Sequence, residues 1–151
     1  MKIIIVSDNH GDKETLELIK YKHFDADYYF HLGDSQMNVK ELSPFVSVLG
    51  NNDYDYNLPY EKVIDIGSNS FFLVHGHTYG CDIKQLVKQA KKLGCNFVLF
   101  GHTHEYMYDI QEGIHIINPG SCSNNRYGKY PSYVVLTIDG NSVDINRVDI
   151  K

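Results

Sequence analysis

A chain of 151 residues can bury a hydrophobic core without disulfides or a structural metal to staple it. With 42% apolar and 22% charged residues, it is neither disordered nor collagenous, and one domain over residues 1–151 is expected. A net charge of -5 with no basic block argues against an extended nucleic-acid partner, while small phosphorylated ligands stay open.

The first apolar run, Ile3 to Val6, reads as a buried strand, and Asp12 can cap a helix from Lys13 to Tyr21 whose Leu16 and Ile19 face the core. Further buried strands are expected at Tyr28 to Leu32, Phe45 to Leu49, Phe71 to Val74 and Phe97 to Phe100. Before the last of these, Ile83, Leu86, Val87, Ala90 and Leu93 share one helical face. Asp82 caps that helix, with Gln85 three residues on, Lys91 and Lys92 suit its C-terminal dipole and Gly94 ends it. After Gly101 the runs shorten and alternate: Glu105 to Ile110, Gly113 to Ile117, Ser132 to Ile138 and Ser142 to Ile150. Asp139-Gly140-Asn141 marks a hairpin between the last two. The pattern predicts an α/β fold, a mixed two-sheet β-sandwich flanked by helices.

No apolar stretch approaches the roughly 20 residues of a membrane span, and Met1 to Ser7 is too short for a signal-peptide core. A cytoplasmic protein with no membrane partner is therefore expected. Cys81, Cys95 and Cys122 are odd in number and lack C-x-x-C spacing, which fits free thiols.

The residues that follow the strands carry the chemistry. Val6 leads into Asp8-Asn9-His10, Leu32 into Gly33-Asp34, Leu49 into Gly50-Asn51, Val74 into His75-Gly76-His77, and Phe100 into Gly101-His102-Thr103-His104. Ligands of open α/β sheets bind beyond the carboxyl ends of strands, so these segments can converge. Imidazoles, carboxylates and an amide oxygen form a mixed N/O set suited to Mn, Fe, Zn, Ni or Co. Asp8, His10, Asp34, Asn51, His75, His102 and His104 are too many donors for one tetrahedral ion and about right for two ions sharing a carboxylate.

In that order the motifs resemble those of the calcineurin-like metallophosphoesterases: D-x-H, G-D, G-N-x-[DE], H and G-H-x-H. The short length, His75-Gly76-His77 and Asn118-Pro119-Gly120-Ser121 are most similar to the small YfcE-type phosphodiesterases of bacteria and archaea. The resemblance implies two divalent ions per chain, with manganese first and nickel, iron, zinc or cobalt as alternatives. It assigns Asp8, His10, Asp34 and His104 to one ion and Asp34, Asn51, His75 and His102 to the other. Asp34 then bridges the ions, and a hydroxide generated between them attacks the phosphorus of a small phosphoester in line. Many family members carry His after the G-N pair as a proton donor to the leaving group. This chain has Asn52, an amide that cannot act as a general acid.

Several neighbours admit two readings. His77 is either a substrate contact at the lip of the site or an exposed residue, and Asp53 either orients a ligand or is a turn acid. Arg126 can clamp a phosphate or lie in solvent. Tyr54, Tyr56, Tyr60, Tyr127 and Tyr130 suit a homo-oligomer interface or half-buried loop packing. His23, His31 and His115 receive structural readings. Two other functional classes are a non-catalytic scaffold resembling the retromer subunit of the same fold, and a nuclease. The nuclease needs a basic strand-binding groove that the sequence does not show.

Overall fold

The computed structural model describes residues 1–151. Strands β1 (Lys2–Val6), β2 (Tyr28–His31), β3 (Val46–Ser47), β9 (Ser132–Asp139) and β10 (Ser142–Asp149) form one sheet in the order β10-β9-β1-β2-β3. Strands β4 (Glu61–Ile66), β5 (Asn69–Val74), β6 (Phe97–Leu99), β7 (Tyr106–Gln111) and β8 (Ile114–Pro119) form the other, in the order β4-β5-β6-β8-β7. Within the first sheet β1, β2 and β3 run parallel, and within the second β5, β6 and β8 do. Their carboxyl ends carry the polar loops.

Alternation along each strand builds three apolar layers. Ile3 and Ile5 of β1 meet Phe71, Leu73, Phe97 and Leu99 between the sheets. Ile4 and Val6 point the other way, onto Leu16 and Ile19 of helix α1 (Lys13–Lys22) and Leu42 of the short helix α2 (Val39–Leu42). On the opposite flank, Phe72, Val74, Val98 and Phe100 receive Leu86, Val87 and Ala90 of helix α3 (Ile83–Leu93). The architecture is the expected helix-flanked sandwich, with burial on both faces of the central strands.

Helix α3 matches its predicted limits: Asp82 accepts the Lys84 and Gln85 amides, and Gly94 closes it in a left-handed conformation. The Phe45 to Leu49 run pairs with β2 only over Val46–Ser47, yet its side chains keep the alternation of a strand: Phe45 and Leu49 pack toward the helices, Val46 and Val48 between the sheets. Two elements carry no clear sequence signal. Strand β4 is an edge strand whose Glu61, Lys62, Val63 and Asp65 stay exposed, and α2 is a single turn held by an Asn38–Glu41 capping box. No helix is long and apolar enough to cross a membrane. All three cysteines are free thiols.

Candidate metal centre

The loops leaving β1, β2, β3, β5 and β6 bring their polar residues into two adjoining clusters. Asp8, His10 and His104 form one and Asp34, His75 and His102 the other, with the donor atoms of each within 4.8 Å of one another. Asn51 joins the second, its Oδ1 lying 3.1 Å from His75 Nε2 and 3.0 Å from His102 Nδ1. Asp8 Oδ1 is 3.9 Å from His75 Nε2, so the clusters are neighbours. All seven residues named from the sequence therefore meet. Distances tie Asp34 to the second cluster, through His75 Nε2 at 3.4 Å.

Backbone geometry shows that this convergence is enforced. Asp8, His10, Asp34, His102 and His104 all have φ between 46° and 69°, a region that residues with a Cβ seldom enter. Each such residue costs on the order of 1–3 kcal/mol and persists only where its surroundings hold it. The holding contacts are present: Asp8 N–H donates to Gly33 O, His10 N–H to Asp34 O, and His102 N–H to Asp8 Oδ2 at 3.1 Å. The motif glycines supply space. A Cβ on Gly50 would lie 2.2 Å from Asp34 Oδ1, and one on Gly101 would lie 2.1 Å from Ser7 Oγ.

The hydrogen bonds around the imidazoles fix where their lone pairs point. His75 Nδ1 donates to Leu32 O at 2.7 Å and His104 Nδ1 to Asn124 O at 2.8 Å. A carbonyl only accepts, so in the neutral ring each Nε2 turns a lone pair into the site. His10 is held alike, its Nδ1 lying 3.0 Å from Gln36 Oε1. His10 Nε2 and His104 Nε2 consequently face each other at 3.1 Å, and His75 Nε2 faces His102 Nδ1 at 3.3 Å. Asp8 adds to this crowding of acceptors. Its Oδ2 accepts from Ser7 Oγ and the His102 amide, while its buried Oδ1 has no hydrogen-bond partner and lies 3.3 Å from His104 Nε2. A cation is what such a set lacks, and a divalent metal fits its mixed N/O chemistry.

The electrostatics point the same way. Burial works to raise the Asp34 pKa, but His75 and the two Asn52 donors outweigh it and hold the carboxyl well below its usual range. Asp8 behaves likewise, with His104, His75 and Ser7 overcoming its burial. Burial works to lower the His75 pKa, yet Asp34 and Asp8 leave it raised, and contact with Asp8 raises that of His104. The carboxylates thus draw positive charge into both clusters.

Asp53 lies behind the donor residues and knits their loops together. Its Oδ2 accepts the Asp34 amide at 2.9 Å and the Gly50 amide at 2.7 Å, and its Oδ1 accepts the Gln36 amide at 2.8 Å. Asn52 donates twice to Asp34, from its backbone N–H and from Nδ2, both at 2.8 Å. His77 stands at the rim of the second cluster, its ring centre 5.3 Å from that of His75 and its buried Nδ1 unpartnered. Burial, then the neighbouring His75 and His102, lower its pKa.

Other supports come from behind the site, and of these the family resemblance points to the Asn118–Ser121 turn. Ser121 and Ser123 hydroxyls donate to Asp8 O, and Asn118 Nδ2 donates to Gly101 O, so the Asn118–Ser121 turn braces two ligand loops from behind. His31 is fully buried, accepting from the Gly33 amide and bonding Asn9 Oδ1, which ties the first two loops together. Arg126 Nε donates to Thr103 O at 2.7 Å, so this guanidinium is anchored rather than loose in solvent. The five loop tyrosines are all more than half exposed, at 53% to 83%, which departs from half-buried packing.

Comparison with known proteins agrees with this geometry. Residues 1–141 match the calcineurin-like phosphoesterase superfamily domain. The probable metallophosphoesterase YsnB of Bacillus subtilis is 32% identical over 99% of this chain and 91% of its own. A crystal structure of a predicted phosphoesterase from Streptococcus pneumoniae superposes with a TM-score of 0.91 at 27% identity, covering 98% of this chain and 88% of that one. Vps29 from Entamoeba histolytica, at 22% identity over the whole of both chains and a TM-score of 0.78, shares the fold.

Proposed function

The chain belongs to the calcineurin-like phosphoesterase superfamily, and from that premise we propose that it hydrolyses small phosphodiesters with two divalent metal ions. The observation that carries the proposal is the buried, unpartnered Asp8 Oδ1 set among inward-turned imidazole lone pairs. Asp8, His10, Asp34 and His104 would hold one ion and Asp34, Asn51, His75 and His102 the other, with Asp34 shared. Manganese is the first choice, ahead of nickel, iron, zinc or cobalt. The chemistry supplied by such a pair is a lowered pKa for water and neutralisation of the phosphoryl oxygens in the transition state.

The protein's own groups do the positioning. Leu32 O and Asn124 O orient two imidazoles, Asn52 pins the Asp34 carboxylate, and Asp53 fixes the backbone on either side of it. The Asn52 amide is too weak an acid to transfer a proton, so departure of the leaving oxygen depends on its own acidity unless His77 at the rim supplies one. Free thiols and the lack of a membrane-crossing helix suit a cytoplasmic setting.

A non-catalytic scaffold is the alternative on the same fold. Complete convergence of the donors favours the enzyme, since a scaffold is free to lose them. The test is hydrolysis of bis(p-nitrophenyl) phosphate and p-nitrophenyl phosphate by protein loaded with each of the five metals. Diester cleavage that disappears on chelation and returns with manganese is expected, and metal-loaded protein inert toward every ester supports the scaffold.

A further inference from the structure

On the His104 side of the centre lies a cavity of about 210 Å³. In a chain of net charge -5, its wall carries Arg126, Lys129 and Arg147 against a single carboxylate, Glu105. Arg147 is engaged, paired with Asp149 and lying over the Tyr106 ring. The other two cations keep charged donors free. Arg126 is anchored through its backbone N–H on His104 O and its Nε on Thr103 O, which leaves both terminal amino groups of the guanidinium without a protein acceptor. Lys129 Nζ forms no ion pair, and Glu105 pairs with none of the three. Arg126 also borders two adjoining openings, one walled by His104 and the other by His102 and Thr103, so it is shared by the cavity and both openings beside the donor residues.

A guanidinium with a free fork beside a free ammonium is built to receive a phosphoryl group. The space is smaller than the roughly 300–1,000 Å³ of a site that engulfs a whole drug-sized ligand, and it suits one appended group. We propose that this cavity binds a second, non-scissile phosphate of the substrate, so that the enzyme prefers phosphodiesters in which one esterified group is itself phosphorylated. This rests on the phosphodiesterase reading above. Anchoring the guanidinium on the backbone of the His102–His104 loop sets the second phosphate at a fixed offset from the reacting one, which turns a surface cation into a selector of substrate length.

The test compares propyl p-nitrophenyl phosphate with 3-phosphopropyl p-nitrophenyl phosphate on manganese-loaded protein. A lower KM for the phosphorylated ester, by about tenfold or more, is expected from one charge-assisted contact. Lys129→Ala, which removes a side chain with no hydrogen bond or ion pair to the donor loops, and Arg126→Ala should each bring the two KM values together. Equal KM values in the wild type, or a KM ratio unmoved by both substitutions, overturn the subsite and leave the phosphodiesterase reading standing. Failure to cleave either ester removes both. A readout independent of turnover is amide chemical-shift change in metal-free protein titrated with inorganic phosphate at constant ionic strength. Shifts confined to Arg126, Tyr127 and Lys129 and abolished by Arg126→Ala support the site, and none in that loop overturns it.

Discussion

Replacing Asp53 by Asn probes the scaffold of the centre without touching a proposed ligand. Each carboxylate oxygen of Asp53 faces backbone donors, two amides at Oδ2 and one at Oδ1. An Asn side chain must turn its NH2 toward one of these sets and so orphans at least one buried N–H. An unsatisfied buried donor costs about 1–3 kcal/mol, and hydrogen bonds to a charged acceptor are worth about 1.5–3 kcal/mol each. The substitution should therefore lower the stability of the metal-free protein by about 2–4 kcal/mol in urea unfolding. The freed amides belong to Asp34, itself a proposed ligand, to Gly50, next to Asn51, and to Gln36, whose side chain contacts His10. Manganese affinity measured by calorimetry should fall in step with stability. Asp53→Asn protein within about 0.5 kcal/mol of wild type, with unchanged metal affinity, would refute the view that this carboxylate holds the site together.

Gly101→Ala would force its Cβ to within 2.1 Å of Ser7 Oγ and 2.8 Å of Asp8 Oδ2; displacing either residue by 1 Å should cost about 100-fold in rate, readable as kcat on an activated diester. Because His75 and His104 have raised pKa values in the metal-free site, protons compete with metal there: affinity should rise from about pH 6 to 8 with proton release on binding, and pH-independent calorimetry would contradict this. With Asn52 committed to Asp34, the rate should fall steeply as the leaving group becomes less acidic, by ~10²- to 10⁴-fold beyond what a general acid would allow. A shallow dependence that steepens only in His77→Ala would instead make His77 the proton donor.

The convergence of the seven donor residues was legible in the sequence because their types and order form a recognisable motif series and because parallel strands deliver their carboxyl ends to one edge. Helix α3 was legible to the residue, since its apolar face, Asp82 cap and Gly94 terminus agree with one another. Strand β4 was not: exposed over most of its length, with only Ile64 and Ile66 packed against the core, it leans on pairing with β5 more than on its own burial. The supports of the ligands were equally hidden. Leu32 O and Asn124 O orient imidazoles through backbone carbonyls, which every residue possesses, so side-chain identity carries no trace of them. Ser121 and Ser123 reach Asp8 across more than a hundred residues, and only the fold reveals that proximity.

Anomalous scattering from crystals soaked with manganese would locate the ions themselves. Two peaks per chain are expected, one among Asp8, His10 and His104 and one among Asn51, His75 and His102, with the Asp34 carboxylate between them. A single peak, or none within coordinating distance of Asp8 Oδ1, would contradict the two-ion centre.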